Sequence, residues 1–167
     1  QIEVVGDIAL SVDALADALG SRLDIDLGGF ERVRDNVKGK IFPLDEEPVF
    51  PMRPQNIVSA IRNLMGYHDI IALDNGVYKI WFARNYLAFQ PNTILLDNAL
   101  ATMGAGLPSA MLAAMIHPNR KVMSICGDGG FMMNSQEIET AVRLNLNLVV
   151  LILNDNSYGM IRWKQAG

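Results

Sequence analysis

Between Asp69 and Leu153 the chain sets out short apolar runs, DIIALD, TILLD, KVMSIC and LVVLIL, each parted from the next by a stretch of helical character. Apolar residues follow one another in these runs without polar alternation, so both faces of each strand must be buried. Strands of that kind belong to a parallel sheet covered by helices on both sides. The intervening stretches supply the helices. Pro54 opens PQNIVSAIRNLMG, where its missing N–H costs little, and Gly66 closes it. Further helices are predicted near YKIWFARNYL, over LPSAMLAAMI after Gly106, and over SQEIETAVRLN. The expected fold is therefore α/β, an open and mostly parallel sheet with helices on both faces.

Two of the predicted strands end in polar loops, GDGG at 127–130 and NDNSYG at 154–159, with one helix between them. The crossover of a β-α-β unit is right-handed almost without exception, so both loops emerge on the same edge of the sheet. Open α/β sheets bind their ligands at that carboxyl edge. Gly127, Gly129 and Gly130 let backbone N–H groups approach an anion closely. Asn134 and Glu137 have the spacing of a capping box, which would fix where the next helix begins. Asp128 and Asp155, brought together beside a phosphate-sized nest, suggest a hard cation. Magnesium commonly bridges one or two carboxylates to a substrate phosphate and keeps some water. Taken singly, Gly-Asp-Gly is an ordinary tight turn and Asn-Asp-Asn an ordinary surface loop. Their pairing across one helix carries the ligand reading.

Before residue 51 the pattern is different. Ile2 to Val5 reads as a strand and IALSVDALADALG as a helix stopped by Gly20. Residues 21–50 are mixed and charged, with FPLDEEPVFP rich in proline, and read as a linker. Residues 1–20 thus look like the tail of a preceding domain, and 51–167 like the main α/β domain. A net charge of −4 and the lack of a basic run argue against a nucleic-acid surface. Cys126 is the only cysteine, which excludes a disulfide framework and a multi-cysteine metal site and suits a cytoplasmic setting. At the end of a buried strand it reads as a core residue. The N-terminus shows no signal-peptide pattern, and the longest apolar run, Leu148 to Leu153, is too short to cross a bilayer. His68 and His117 precede strands, on the edge away from the two loops, and read as turn residues.

The segment GDGGF…LNDNSYGM resembles the thiamin diphosphate motif, and its surroundings look most like the acetolactate (acetohydroxyacid) synthase family of thiamin-dependent 2-oxo-acid enzymes. The likeness runs from about Pro51 to Gly167, and residues 1–20 are similar to the last strand and helix of that family's middle domain. It implies a truncated pyrophosphate-binding domain, because the family's sheet continues further. It also implies thiamin diphosphate and Mg2+ as cofactors. By position, Asp128 would bind the metal, Gly127, Gly129 and Gly130 would meet the diphosphate, and Asn154 and Asp155 would fall on the motif's asparagine pair. Asp155 stands where the family has the metal-binding Asn, and Ser157 would offer its backbone carbonyl. Gly76, Val77 and Tyr78 in DNGVYKIW would lie at the first diphosphate-side loop, with Tyr78 in place of a common His. A strand-end turn with Trp81 as helix anchor is the plainer alternative there.

In ALATMGAGLP, Met103 would wedge beneath the bend of the cofactor, against the alternative of ordinary core filling. Ala101 would contribute a backbone carbonyl where Gly is common. Tyr158, Gly159 and Met160 would sit near the thiazolium and the substrate. Lys164, with Trp163 before it, falls where members that favour 2-oxobutyrate keep a Trp, which points to pyruvate as both donor and acceptor. The implied reaction is two pyruvates to 2-acetolactate and carbon dioxide, with the cofactor as the electron sink. The family's activating Glu belongs to a pyrimidine-binding domain supplied by another subunit, so the resemblance implies no catalytic residue in these 167 residues and a homodimer or homotetramer. Alone, the chain is expected to be inactive. Alternatives are a decarboxylase, a glyoxylate or aldehyde ligase, or a sulfoacetaldehyde acetyltransferase-like enzyme of the same cofactor group. A non-catalytic nucleotide-binding module is the other alternative, although neither a Walker motif nor Gly-x-Gly-x-x-Gly is present.

Overall fold

The computed structural model describes residues 5–20, 26–41 and 50–167. The expected strand at Ile2–Val5 falls almost wholly outside the described residues, as does most of the proline-rich stretch. The chain divides into two compact units, Gln1–Lys40 and Ile41–Gly167.

Among the described residues the first unit holds two helices. In α1, Ile8–Leu19, the Asp7 carboxylate caps the start by accepting from the Leu10 amide at 3.0 Å. Gly20 ends the helix at φ 47°, a left-handed turn that glycine takes without a Cβ penalty. The helix α2, Gly28–Ile41, lies inside the stretch read as a linker. Glycines 28, 29 and 39 weaken its intrinsic propensity and hide it from the sequence. Phe30, Val33 and Val37 nevertheless share one stripe, Glu31 sits in the first turn and Lys38 and Lys40 in the last, each suiting the helix dipole. No described residue of this unit is buried.

The second unit carries the sheet. In chain order it runs α3 (Pro54–Leu64), β1 (Ile70–Leu73), α4 (Val77–Asn85), β2 (Ile94–Leu96), α5 (Gly106–Ile116), β3 (Val122–Gly127), α6 (Asp128–Met133), α7 (Glu137–Arg143), β4 (Leu148–Leu153) and α8 (Gly159–Ala166). Among the described residues the strands form one sheet in the order β2-β1-β3-β4, every pair parallel. All of β1 is buried, as its uninterrupted apolar run requires. On one face Ile71, Leu73 and Ile125 pack against Val58, Ile61 and Met65 at the end of α3 and Phe82 of α4. On the other, Ile70, Ala72 and Val122 meet Ala110, Ala113 and Ala114, small residues that let α5 lie close to the sheet. Leu107, Met111 and Ala141 extend that second layer from α5 to α7. The α/β class, the parallel sheet and the helices on both faces are as read from the sequence; burial on both faces of every strand is not, because β4 lies at the sheet edge and leaves Val149 and Ile152 exposed. Among the described residues no helix is long and apolar enough to cross a membrane.

Two local features differ from expectation. GDGGF is no open loop: α6 begins at Asp128 directly after β3. The capping box at Asn134–Glu137 does not form, because α7 starts after Gln136 with no side-chain cap and the Asn134 amide group donates instead to the Gly104 carbonyl at 2.7 Å.

Cys126 sits fully buried in β3, with its sulfur 3.2 Å from the Ser124 hydroxyl. Burial pushes its thiol up to about 11, so it stays protonated near neutrality. At pH 8 only about one such thiol in a thousand is ionised. Iodoacetamide labelling of the native protein at pH 8, read by mass spectrometry, is therefore expected to be at least about 100-fold slower than in the unfolded chain. Rapid native labelling would place the thiol at the surface.

Candidate functional site

Because all four strands are parallel, the segments that follow them gather at one edge of the sheet. There they enclose a cleft of about 660 Å³. Gly76, Val77 and Tyr78 line it from the turn after β1, and Met103 from the segment after β2. Gly127, Asp128, Gly129 and Gly130 line it from the β3–α6 junction. Asn154, Asp155, Ser157, Tyr158, Gly159 and Met160 line it from the β4–α8 loop. The sequence-predicted residues thus meet in one place, with one exception: Ala101 is exposed and does not line the cleft. Phe50, Met52, Ile57 and Trp81, not singled out as site residues from the sequence, give the cleft an apolar end.

Both carboxylates expected at a metal face this cleft, in different local settings. Asp155 is tied into its own loop: its Oδ1 accepts the Ser157 amide at 3.1 Å and its Oδ2 the Ser157 hydroxyl at 3.2 Å. Asn154 turns the same loop by accepting the Asn156 amide at 2.8 Å, with Asn156 at φ 54°. Asp128 stands at the first position of α6, and its side chain makes no hydrogen bond or ion pair among the described residues. No three His, Cys, Asp or Glu side chains gather among the described residues. A cation here would need backbone and ligand oxygens beside the two aspartates, which is magnesium's habit at a phosphate.

The glycines matter for the space they leave. A Cβ on Gly76 would stand 2.6 Å from the Tyr78 ring, and one on Gly129 would overlap the ring of Tyr158. The Tyr78 ring also crosses Gly127, where a Cβ would come within 3.2 Å. The rings of Tyr78 and Tyr158 therefore lie so close over these glycines that no side chain would fit there. The Tyr78 hydroxyl is buried beside the Gly127 amide without a well-formed hydrogen bond, and burial, aided by the nearby Asp74 carboxyl, pushes its ionisation upward. An unsatisfied buried donor costs free energy, so a ligand acceptor at this wall would find a ready partner. Bare amides, an orphaned hydroxyl, two carboxylates and apolar Met103 and Met160 form a donor set that fits a magnesium-bridged diphosphate carrying an apolar ring system.

Sequence reasoning passed over Asp74, the last residue of the run DIIALD. It is 1% exposed and does not line the cleft. Its two carboxylate oxygens accept the Gly104 amide at 2.8 and 3.1 Å, and Oδ1 also accepts the Asn75 amide at 2.7 Å. Burial pushes its carboxyl up, against the opposing pull of the amides of Asn75, Gly104, Gly106 and Ala105. No local signal marks it, since a polar residue at a strand end is ordinary.

Ala101 adopts φ 50°, in the left-handed region that an alanine reaches at a cost of about 1–2 kcal/mol. Glycine would relieve that cost and give back about 0.4–1 kcal/mol through its freer unfolded chain. Ala101→Gly is thus expected to raise the unfolding free energy by about 0.5–1 kcal/mol in urea titration. A loss of stability would mean that the backbone here is relaxed with its methyl group in place.

Residues 74–167 match the family model "Thiamine pyrophosphate enzyme, C-terminal TPP binding domain". The chain is 36% identical over 167 residues to a catabolic acetolactate synthase of Raoultella terrigena, covering 96% of this chain and 29% of that protein. It is 38% identical over 112 residues to an acetolactate synthase of Bacillus subtilis, covering 67% of this chain and 20% of that protein. Against the large subunit of acetolactate synthase isozyme 1 of Escherichia coli, the identity is 34% over 116 residues, 70% of this chain and 21% of the other. The chain thus spans at most 29% of the length of these relatives.

Proposed function

We propose, from the premise that this chain belongs to the thiamine pyrophosphate enzyme family through its C-terminal TPP-binding domain, that it is part of an acetolactate synthase that joins two pyruvates with loss of carbon dioxide. The observation that carries this reading is the meeting of the Gly127–Gly130 nest, Asp128, Asp155 and Met103 in one cleft at the carboxyl edge of the sheet. Thiamin diphosphate, when bound, supplies the electron sink for decarboxylating a 2-oxo acid and joining what remains to a second one.

The chain's own part is to hold and shape. The amides around Gly127, Gly129 and Gly130, with Gly76 and Val77, receive the diphosphate on bare backbone. Asp128, Asp155 and the Ser157 carbonyl would hold Mg2+ there. Met103 would support the cofactor from below, and Met160, with Tyr158 and Gly159, would line the space left for the substrate. None of these residues moves a proton in the reaction. The carboxylate that does so would come from a pyrimidine-binding domain of another subunit, in a homodimer or homotetramer. In that arrangement residues 1–20 close a preceding domain, 21–50 connect it, and 51–167 form most of the diphosphate-binding domain. A reducing, cytoplasmic compartment suits its single buried thiol.

Product analysis tests the reaction. The full-length protein, given pyruvate, thiamin diphosphate and Mg2+, is expected to yield 2-acetolactate. Acetaldehyde as the main product would make it a decarboxylase of the same group. Thermal shift adds a second arm: thiamin diphosphate with Mg2+ should raise the melting temperature and ATP or NAD should not, because only a true ligand stabilises by mass action. The reverse ranking would leave a nucleotide-binding module.

A further inference from the structure

We propose that Asp74, Gly104 and Asn134 form a positioning network that sets Met103 in register with the glycine nest, so that the two ends of one ligand are gripped by a single framework. The proposal rests on the cofactor reading above and adds to it residues that touch no cofactor.

The network joins three segments far apart in the chain. Asp74 directly follows β1, and its own amide donates to the Ile125 carbonyl at 2.9 Å. Its carboxylate takes the Gly104 N–H with both oxygens. From the other side the same residue's carbonyl accepts the Asn134 side chain at 2.7 Å. Gly104 is therefore clamped at both its amide and its carbonyl, and its φ of +86° is a conformation that glycine alone takes without strain. The residue before it is Met103, which lines the cleft.

Asn134 follows α6 directly, so the clamp also reaches the helix that carries Asp128, Gly129 and Gly130. Gly130 lies hard against the Asp74 carboxylate, where a Cβ would overlap Oδ2. The Asn75 amide, also on Asp74, leads into Gly76 and Val77 of the first diphosphate-side loop. Asp74 thus touches every wall assigned to the diphosphate except the β4–α8 loop, while Asn134 touches only the side that carries Met103 and the end of α6. Such a group acts by limiting how far the loops can move, which lowers the ordering cost of binding.

That asymmetry gives the test. In the full-length protein, dissociation constants are measured by calorimetry with Mg2+ for two probes, thiamin diphosphate and inorganic pyrophosphate, which has no rings for Met103 to meet. Asp74→Asn is expected to weaken both probes about tenfold, because the nest and Met103 both lose their anchor. Asn134→Ala is expected to weaken thiamin diphosphate about fivefold and leave pyrophosphate within about twofold. A residue that serves stability alone would lower the melting temperature and shift both probes equally in Asn134→Ala, and that result would overturn the proposal. So would unchanged affinities in folded variants. Should Asp74→Asn fail to fold, the split between probes in Asn134→Ala decides by itself. Wild-type protein that binds neither probe would refute the cofactor reading instead.

Discussion

Gly106→Ala is expected to destabilise the second unit by about 2–3 kcal/mol, the upper range for forcing a methyl group into a packed core. Gly106 is the first residue of α5, and its α-carbon faces the end of β1. A Cβ there would stand 2.6 Å from the Asp74 Cβ, 2.8 Å from its backbone nitrogen and 3.0 Å from its Cα. None of those atoms can swing aside, because the Asp74 amide is bonded to the Ile125 carbonyl in the sheet. The helix would have to retreat instead. Retreat opens the contact of Ala110, Ala113 and Ala114 with Ile70, Ala72 and Val122, where small side chains leave no slack to refill the gap. Urea unfolding followed by circular dichroism reads the effect. Gly39→Ala on α2 is the control: nothing lies within 4 Å of a Cβ there, so alanine's helix propensity should leave stability level or raise it by up to about 1 kcal/mol. Equal midpoints for Gly106→Ala and wild type would mean that α5 approaches the sheet less closely than these distances say.

The same close approach explains why part of this molecule could be read from its sequence and part could not. β1, β2, β3 and β4 are legible because each is an unbroken apolar run, although the full burial such a run implies holds for β1 and not for the edge strand β4, where Val149 and Ile152 are exposed. The carboxyl edge of the sheet then follows from chain direction, and with it the meeting of the GDGG and NDNSYG loops. What stayed hidden depends on contacts that local pattern does not encode. Asn134 has the right spacing to cap α7, yet its side chain goes to the Gly104 carbonyl, a tertiary partner 30 residues away. Asp74 looks like any polar strand end until the fold brings Gly104 and Gly130 against it. Three glycines before Phe131 give α6 the pattern of a loop, although β3 delivers the chain straight into a helical turn. α2 is hidden the same way, its apolar stripe masked by glycine and charge. For Ala101, likeness to a family segment carries no information on its φ of 50° or on its exposure.

Asp128→Ala is expected to cost at least about 100-fold in affinity for thiamin diphosphate with Mg2+, or roughly 2.7 kcal/mol. The two aspartates differ in what each is free to do. Asp155 already spends both oxygens on the amide and hydroxyl of Ser157. An asparagine there keeps one oxygen acceptor and the shape of the turn, so Asp155→Asn loses mainly charge and should weaken magnesium retention only about three- to tenfold. Asp128 has no such ties among the described residues, and its carboxylate is available to an ion facing the nest. Truncating it removes a ligand oxygen and a charge together, while the diphosphate's own charge stays uncompensated beside Gly129 and Gly130. The variant should also unfold within about 2 °C of wild type without ligand, since a half-buried carboxylate with no partner contributes little to the fold. Calorimetry with and without EDTA separates the two contributions. The loss should vanish when magnesium is removed, because the wild type then forfeits the same interaction. If Asp128→Ala bound the magnesium complex as tightly as wild type, or lost affinity equally in EDTA, the two loops would meet at this edge for some purpose other than holding a metal.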